Sequence, residues 1–260
     1  MPFLADNLLE LDPFYYDKES RDSIFTSSIQ EMSQHHYKNC KEYKNFCDNN
    51  NFDPYVDNLS IYDLPYLPVS IFKSVNLISS KEKSIMKQIQ SSATTSGTPS
   101  RIFIDPPTSK RQIIASSAVM RSFLNDYRHD FFILDANPRD DFNSEMTARL
   151  AATQGFLIMA KKHEYFMTYN SNGKLVLDID KFIESCRFFS KDSESKALTV
   201  FGFTFIVYQY VVKYLIEKGI NIDLGSSKLA HIGGWKKLTD NSVSPEKFKK
   251  DVNKVLGISE

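Results

Sequence analysis

The chain has 260 residues, enough for one large domain or two small ones around a substantial core. Its 32 basic and 32 acidic residues cancel, which removes any long-range electrostatic reason to seek DNA, RNA or an anionic membrane. Abundant aromatics (20 Phe and 13 Tyr) with only 9 glycines exclude a disordered or fibrous chain.

The start, MPFLADNLLELDPFYYDKES, lacks a basic segment followed by an apolar run and so does not read as a secretory signal. The first sixty residues read as helical with loops. Ile24, Phe25, Ile29, Met32, His36 and Tyr37 fall at helical spacing, followed by Cys40, Tyr43 and Phe46. His35 and His36 stand beside no carboxylate or thiol at ligand spacing, so a packing role is expected and no metal is assigned. In DLPYLPVSIFK, Pro65 and Pro68 force an extended path.

From Ile85 onward the pattern alternates between strands and helices. A strand is expected near Met86 to Ser92 and another at Ile102 to Ile104. Pro106 and Pro107 end the latter, and Thr108 is placed as the cap of a helix presenting Ile113, Met120 and Phe123 on one face. HDFFILDAN reads as a short buried strand, and a helix is expected from Ser144 to about Gln154. GKLVLDIDKFIESCRFF reads as a strand, a cap at Asp180 and a helix.

The longest uncharged stretch, Ala197 to Val212, is too short to span a bilayer. ALTVFGF reads as a strand and TFIVYQYVVKYLIEKG as a helix closed by Gly219. SKLAHIGG is a strand ending at a glycine pair. The last helix takes Ser244 as cap and Pro245 as its first residue.

Such alternation predicts an α/β protein with a mainly parallel sheet flanked by helices. Ligands of these sheets sit beyond the carboxyl ends of the strands. Attention therefore goes to the polar loops after Ile133–Leu134, Val200–Phe201 and His231–Ile232. The expected division is a helical segment over 1–80 packed on an α/β nucleotide-binding part over 81–260. Cys40, Cys47 and Cys186 match no metal spacing and read as free structural thiols of a cytoplasmic protein.

SSATTSGTPS, from Ser91 to Ser100, fits two uses on composition alone. A run of Ser and Thr makes a flexible linker. Small residues with hydroxyls and one glycine also make a turn that a polyphosphate can approach. The Walker pattern is absent, because the second glycine and the Lys-Ser/Thr pair are missing.

The order of these residues resembles the phosphate loop of the adenylate-forming superfamily, and more closely that of its acyl-protein synthetase branch, the long-chain-fatty-acid–luciferin-component ligases. Four further stretches follow in the family's order: HYKNCKEYKNFC (His36 to Cys47), DLPYLPVSIFK (Asp63 to Lys73), VFGFTFIVY (Val200 to Tyr208) and HIGGWKKL (His231 to Leu238). The Ser/Thr loop and the Gly-Gly-Trp-Lys turn are each moderately specific, and five blocks in register span nearly the whole chain. Two departures stand out. Ala93 replaces a usual glycine and removes backbone freedom. Ser100 and Arg101 follow Pro99 where acyl-CoA synthetases carry lysine. Arg101 reads either as a phosphate contact or as a solvated strand residue.

The resemblance implies an adenylate-forming N-terminal fold and an AMP-forming, ATP- and Mg2+-dependent activation of a carboxylic acid, with a fatty acid as the expected substrate. The acyl group then passes to a protein thiol, with an acyl-reductase or other acceptor protein as partner. It places ATP phosphate at Ser92, Thr94, Thr95, Ser96, Gly97 and Thr98. It places the adenylate and acyl chain by Gly202, Phe203, Gly233, Gly234, Trp235 and Lys236. A tight turn with a packed tryptophan is the alternative. The functional reading is favoured for Gly233 and Gly234 and both readings stand for Lys236, whereas core packing is the commoner role of an aromatic placed like Phe203. The family's adenine and magnesium motif, ribose-binding aspartate and acyl-accepting cysteine lie further on, so the chain reads as the family's N-terminal portion. No catalytic acid, base or nucleophile is recognisable. The alternatives are a binding or assembly module that kept the fold, or a relative forming CoA esters.

Overall fold

A computed structural model describes residues 3–9, 14, 17–81, 84–85, 87–90, 98–125, 128–137, 153, 155–191, 197–235 and 242–259. The chain forms two compact units, residues 1–123 with 144–158, and residues 124–143 with 159–260.

The first unit opens with helices α1 (Leu4–Leu8), α2 (Lys18–Asn39) and α3 (Lys41–Asn49). Asp17 caps α2 by accepting the Ser20 N–H at 2.9 Å. At Cys40 the backbone turns extended (φ −127°, ψ 109°), which separates α2 from α3 while burying the thiol. His35 and His36 are packing residues: His35 meets the Phe3 ring edge-on, His36 meets Tyr43, and His36 Nδ1 lies 2.7 Å from Ser79 Oγ. After the proline-bounded segment comes a single helical turn, α4 (Ile71–Ser74).

Strands β1 (Lys87–Gln90) and β2 (Arg101–Ile104) pair antiparallel in a sheet of their own. They do not join the parallel sheet, contrary to the uninterrupted alternation read from residue 85. Helix α5 (Pro106–Leu124) follows directly. Its cap is Asp105, whose Oδ1 accepts the Thr108 N–H at 2.9 Å; Thr108 lies inside the first turn. Both prolines fit there because the first helical N–H groups have no intrahelical partner to lose. The helix buries Ser109, Met120 and Leu124, whereas Ile113 and Phe123 of the expected face are exposed.

The second unit holds a five-stranded sheet in the order β5-β4-β3-β6-β7, comprising β3 (His129–Ala136), β4 (Ala160–Tyr169), β5 (Leu175–Leu177), β6 (Leu198–Phe203) and β7 (Lys228–Ile232). All neighbours run parallel except β4 and β5. The parallel-rich sheet flanked by helices is the α/β class expected from the sequence. Central β3 is a nearly continuous buried run, as a parallel strand requires. Strand β4 has no counterpart in the sequence reading. β5 pairs only with its last three residues, so Lys161, Lys162 and Glu164 occupy a stretch with one unpaired side among the described residues.

Helix α6 (Ile179–Lys191) buries Phe182, Ile183, Cys186 and Phe189 at helical spacing. Each buried phenylalanine contributes roughly 2–3 kcal/mol of hydrophobic free energy. Its cap is Asp178, accepting the Lys181 N–H at 3.0 Å, rather than Asp180. Burial pushes the Cys186 thiol far above its ordinary pKa, which suits a packing residue. Thr204–Ile206, Val207–Val212 and Lys213–Glu217 run as one helix, α7, whose middle segment has π geometry. Gly219 closes it in a left-handed conformation, φ +63°. Helix α8 (Pro245–Leu256) starts as expected, with Ser244 accepting the Lys247 N–H at 3.2 Å. No helix of the described residues is long and apolar enough to cross a membrane.

Candidate functional site

Five of the residues singled out in the sequence come together at the carboxyl ends of β6 and β7. Gly202 pairs with His231 and Phe203 with Ile232, so the Gly233–Gly234–Trp235 turn begins where β6 hands over to α7. Thr204, the first residue of α7, ties this junction together. Its hydroxyl donates to the Gly233 carbonyl at 2.7 Å and also lies 3.2 Å from the Ile232 carbonyl. His231 Nδ1 sits 2.9 Å from the same hydroxyl oxygen. A hydroxyl carries one hydrogen, here given to Gly233, so His231 Nδ1 must be the donor to Thr204. The lone pair of neutral His231 is thereby left on Nε2. Burial against neighbours such as Phe248, with ring centroids 4.7 Å apart, lowers the His231 pKa and favours that neutral form.

The glycines differ in what they do. A Cβ on Gly202 would lie 3.0 Å from Leu134 Cβ and 3.0 Å from Val207 Cγ2. Gly202 thus lets β3, β6 and α7 pack closely. Gly233 adopts φ +75° beneath the Phe203 ring, a conformation that L side chains rarely take. Of these three glycines, Gly234 is the one whose added Cβ would meet no atom within 4 Å among the described residues. Its backbone is the part of the turn that a ligand can approach without displacing protein atoms.

Trp235 packs edge-on against Tyr208 at 5.5 Å, and Tyr208 stacks on Phe248 at 5.8 Å. The Tyr208 hydroxyl donates to Asp251 Oδ2 at 2.7 Å, and Lys247 reaches the same carboxylate at 2.7 Å. Burial raises the Asp251 pKa, but these two hydrogen bonds outweigh it and the net shift is downward. Burial and the adjacent carboxylate raise the Tyr208 pKa. This group anchors α8 to the π segment of α7 behind the turn. The sequence reading did not foresee Thr204, His231 or Asp251 as parts of the site's support, because their pairing depends on register between separate elements. Asp135, fully buried near the carboxyl end of β3 with Oδ1 accepting the Ala136 N–H at 2.8 Å, is a further polar group at that end.

Lys236 and, in the first unit, Ser92, Thr94, Thr95, Ser96 and Gly97 lie outside the described residues. Thr98 is described and exposed, just before β2. The β1–β2 register pairs Gln90 with Arg101, the two residues that flank the hydroxyl-rich stretch. Arg101 is half-buried on β2, and its Nε is buried with no hydrogen-bond partner among the described residues. A buried donor without a partner costs about 1–3 kcal/mol, a cost that an anion would remove. Among the described residues no cluster of His, Cys, Asp and Glu could hold a metal ion, so none is assigned to magnesium.

The fold defines the class. A crystal structure of an open conformation of 2-hydroxyisobutyryl-CoA ligase, in complex with 2-HIB-AMP and CoA, matches 93% of the chain at TM-score 0.61 and 12% identity, over 53% of its own length. The chain therefore has the fold of an adenylate-forming CoA ligase over that span. The family model described as acyl-protein synthetase, LuxE, matches residues 3–260, and the chain belongs to this family. Among curated relatives, a long-chain-fatty-acid–luciferin-component ligase of Photorhabdus luminescens is 33% identical over 96 residues, 36% of this chain and 77% of that protein. The same-named protein of Aliivibrio fischeri is 26% identical over 239 residues, 90% of this chain. The match covers 58% of the Aliivibrio protein's length.

Proposed function

We propose that this chain is the N-terminal portion of an ATP-dependent, AMP-forming ligase that activates a carboxylic acid, most naturally a fatty acid, for transfer to a thiol of an acceptor protein. The observation that carries the reading is the family match over residues 3–260. The open Gly234 backbone and the Thr204–Gly233–His231 clasp give it a physical basis at the carboxyl ends of β6 and β7.

ATP supplies the adenylyl group that turns a carboxylate oxygen into a good leaving group. In this reading, residues 92 and 94–98 offer hydroxyl and backbone donors to its phosphates, and Arg101 adds a charge-assisted donor. Phe203 and Trp235 provide an apolar surround, and Gly234 lets the ligand lie against main chain. Mg2+ belongs to the proposal on family grounds.

The test is acid-dependent exchange of labelled pyrophosphate into ATP by the native full-length protein. Exchange with at least one acid, lost on Arg101→Ala, supports the reading. A second reading, a non-catalytic assembly module, is favoured by Ala93 in the phosphate loop. It predicts no exchange and no Mg2+-dependent ATP binding by any form of the protein.

A further inference from the structure

A cleft of about 600 Å3 lies within the first unit, and Phe3, His35, Cys40 and Arg111 are among the residues that line it. Phe3 is the residue that opens α1, and the way α1 is attached differs from the attachment of the longer helices. None of its five residues is buried. Release of α1 would therefore strip few apolar contacts from the core.

Polar latches hold the helix instead. Asp6 Oδ1 accepts from Arg111 Nε at 2.5 Å and Oδ2 from Arg111 Nη2 at 2.9 Å, while the Leu4 N–H donates to Glu31 Oε2 at 2.5 Å. Phe3 is gripped by its ring: the Arg111 guanidinium lies 4.9 Å from the centroid, and His35 meets it edge-on at 5.0 Å. Five residues are too few to stay helical unaided. The Asp6–Arg111 pair is partly exposed, and water competes for both partners of such a pair. Asp6 and Phe3 thus engage the fork and the face of a cation in the cleft lining, through contacts that can part while α2 and α5 remain folded.

We infer that α1 is a strap across this cleft, latched by Asp6 to Arg111 and by Leu4 to Glu31, and that its release opens the cleft without unfolding the first unit. Two cysteines make the opening measurable. Cys40 lines the cleft yet is only 3% exposed, whereas Cys47, in α3 of the same unit, is fully buried and does not line it. Strap release uncovers Cys40 alone, and unfolding of the unit uncovers both. The inference does not depend on acid activation, since every residue in it belongs to the first unit and no nucleotide is involved.

The test is alkylation of the whole chain by uncharged N-ethylmaleimide near neutral pH, read site by site by mass spectrometry. Cys40 Sγ lies 3.6 Å from Glu42 Oε2 and donates to it, a contact that the variants leave in place, so Cys40 rates are compared between variants. Asp6→Asn is expected to speed alkylation of Cys40 about tenfold and leave Cys47 unchanged. Glu31→Gln, which weakens the other latch, is expected to act in the same direction. About 1 M NaCl, where screening acts within roughly 3 Å, should speed Cys40 in the parent and much less in Asp6→Asn. Unchanged Cys40 rates in both variants, an equal salt effect in parent and Asp6→Asn, or Cys40 and Cys47 rising together would each overturn the proposal. So would a parent Cys40 that reacts as fast as a small free thiol. Pyrophosphate exchange is read separately, so failure here leaves the acid-activation reading intact.

Discussion

Thr204 Oγ1 lies 2.7 Å from the Gly233 carbonyl and 2.9 Å from His231 Nδ1, so one hydroxyl fixes both the turn after β7 and the imidazole before it. Thr204→Val keeps the shape and deletes both bonds, while Thr204→Ser keeps both. We expect Val to cost about 1 kcal/mol of stability and Ser much less. In the acid-activation reading, Val also lowers acid-dependent pyrophosphate exchange about tenfold, equivalent to roughly 1.4 kcal/mol in the barrier, and Ser restores it. Thermal melts and exchange assays on the two variants check this. A Val variant that loses stability but no exchange would make Thr204 purely structural.

The glycines can be separated by alanine substitution. Gly202→Ala forces contact with Leu134 and Val207 and should destabilise by roughly 1–3 kcal/mol. Gly233→Ala strains a residue at φ +75° and should cost about 1–2 kcal/mol. Gly234→Ala meets no atom of the described residues within 4 Å and should leave the denaturation midpoint nearly unchanged. If Gly234 is where a ligand approaches, its alanine variant loses exchange while remaining as stable as the parent. Urea titration alongside exchange distinguishes the three.

Arg111 beside Asp6 holds that carboxyl at a pKa of about 2, below its ordinary 3.8. A depressed folded-state pKa stabilises the fold above the unfolded value and loses that contribution as pH falls through the folded value. Stability owed to this pair should therefore be complete above about pH 4 and disappear between about pH 4 and 2. Both side chains are about a quarter exposed, so the contribution is on the order of 1 kcal/mol after screening. Asp6→Asn should lower the melting temperature at pH 6 and make no difference near pH 2.

Asp251 accepts from both Tyr208 and Lys247 while only 7% exposed. Asp251→Ala leaves the buried Tyr208 hydroxyl without its acceptor and should cost about 1–3 kcal/mol. Tyr208→Phe removes the donor instead and should cost less, because Lys247 still pairs with the carboxylate. The order of the two denaturation midpoints checks the assignment.

Much of this architecture is legible in local sequence. HDFFILDA is apolar enough to be read as a buried strand, and Ser244-Pro245 opens α8 as capping chemistry dictates. Gly219 and Gly233 mark real left-handed residues. Local reading fails where tertiary context decides. Strand β4 begins Ala-Lys-Lys-His-Glu, a pattern that looks like loop because much of that half lacks a second strand neighbour. Pro106 and Pro107 read as a break before a helix, yet they form its first turn under Asp105. The exposed Ile113 and Phe123 show that apolar spacing on α5 does not by itself select the buried face. The Thr204 clasp and the Tyr208–Asp251–Lys247 group join residues far apart in sequence, and no local pattern announces them.

The central claim is that the protein activates a carboxylic acid with ATP. The most direct measurement is pyrophosphate exchange into ATP by the native full-length protein, run across carboxylic acids of increasing chain length. The account predicts exchange that requires an acid and falls sharply in Thr95→Val and Arg101→Ala. Absence of exchange with every acid, in a folded protein, would contradict it.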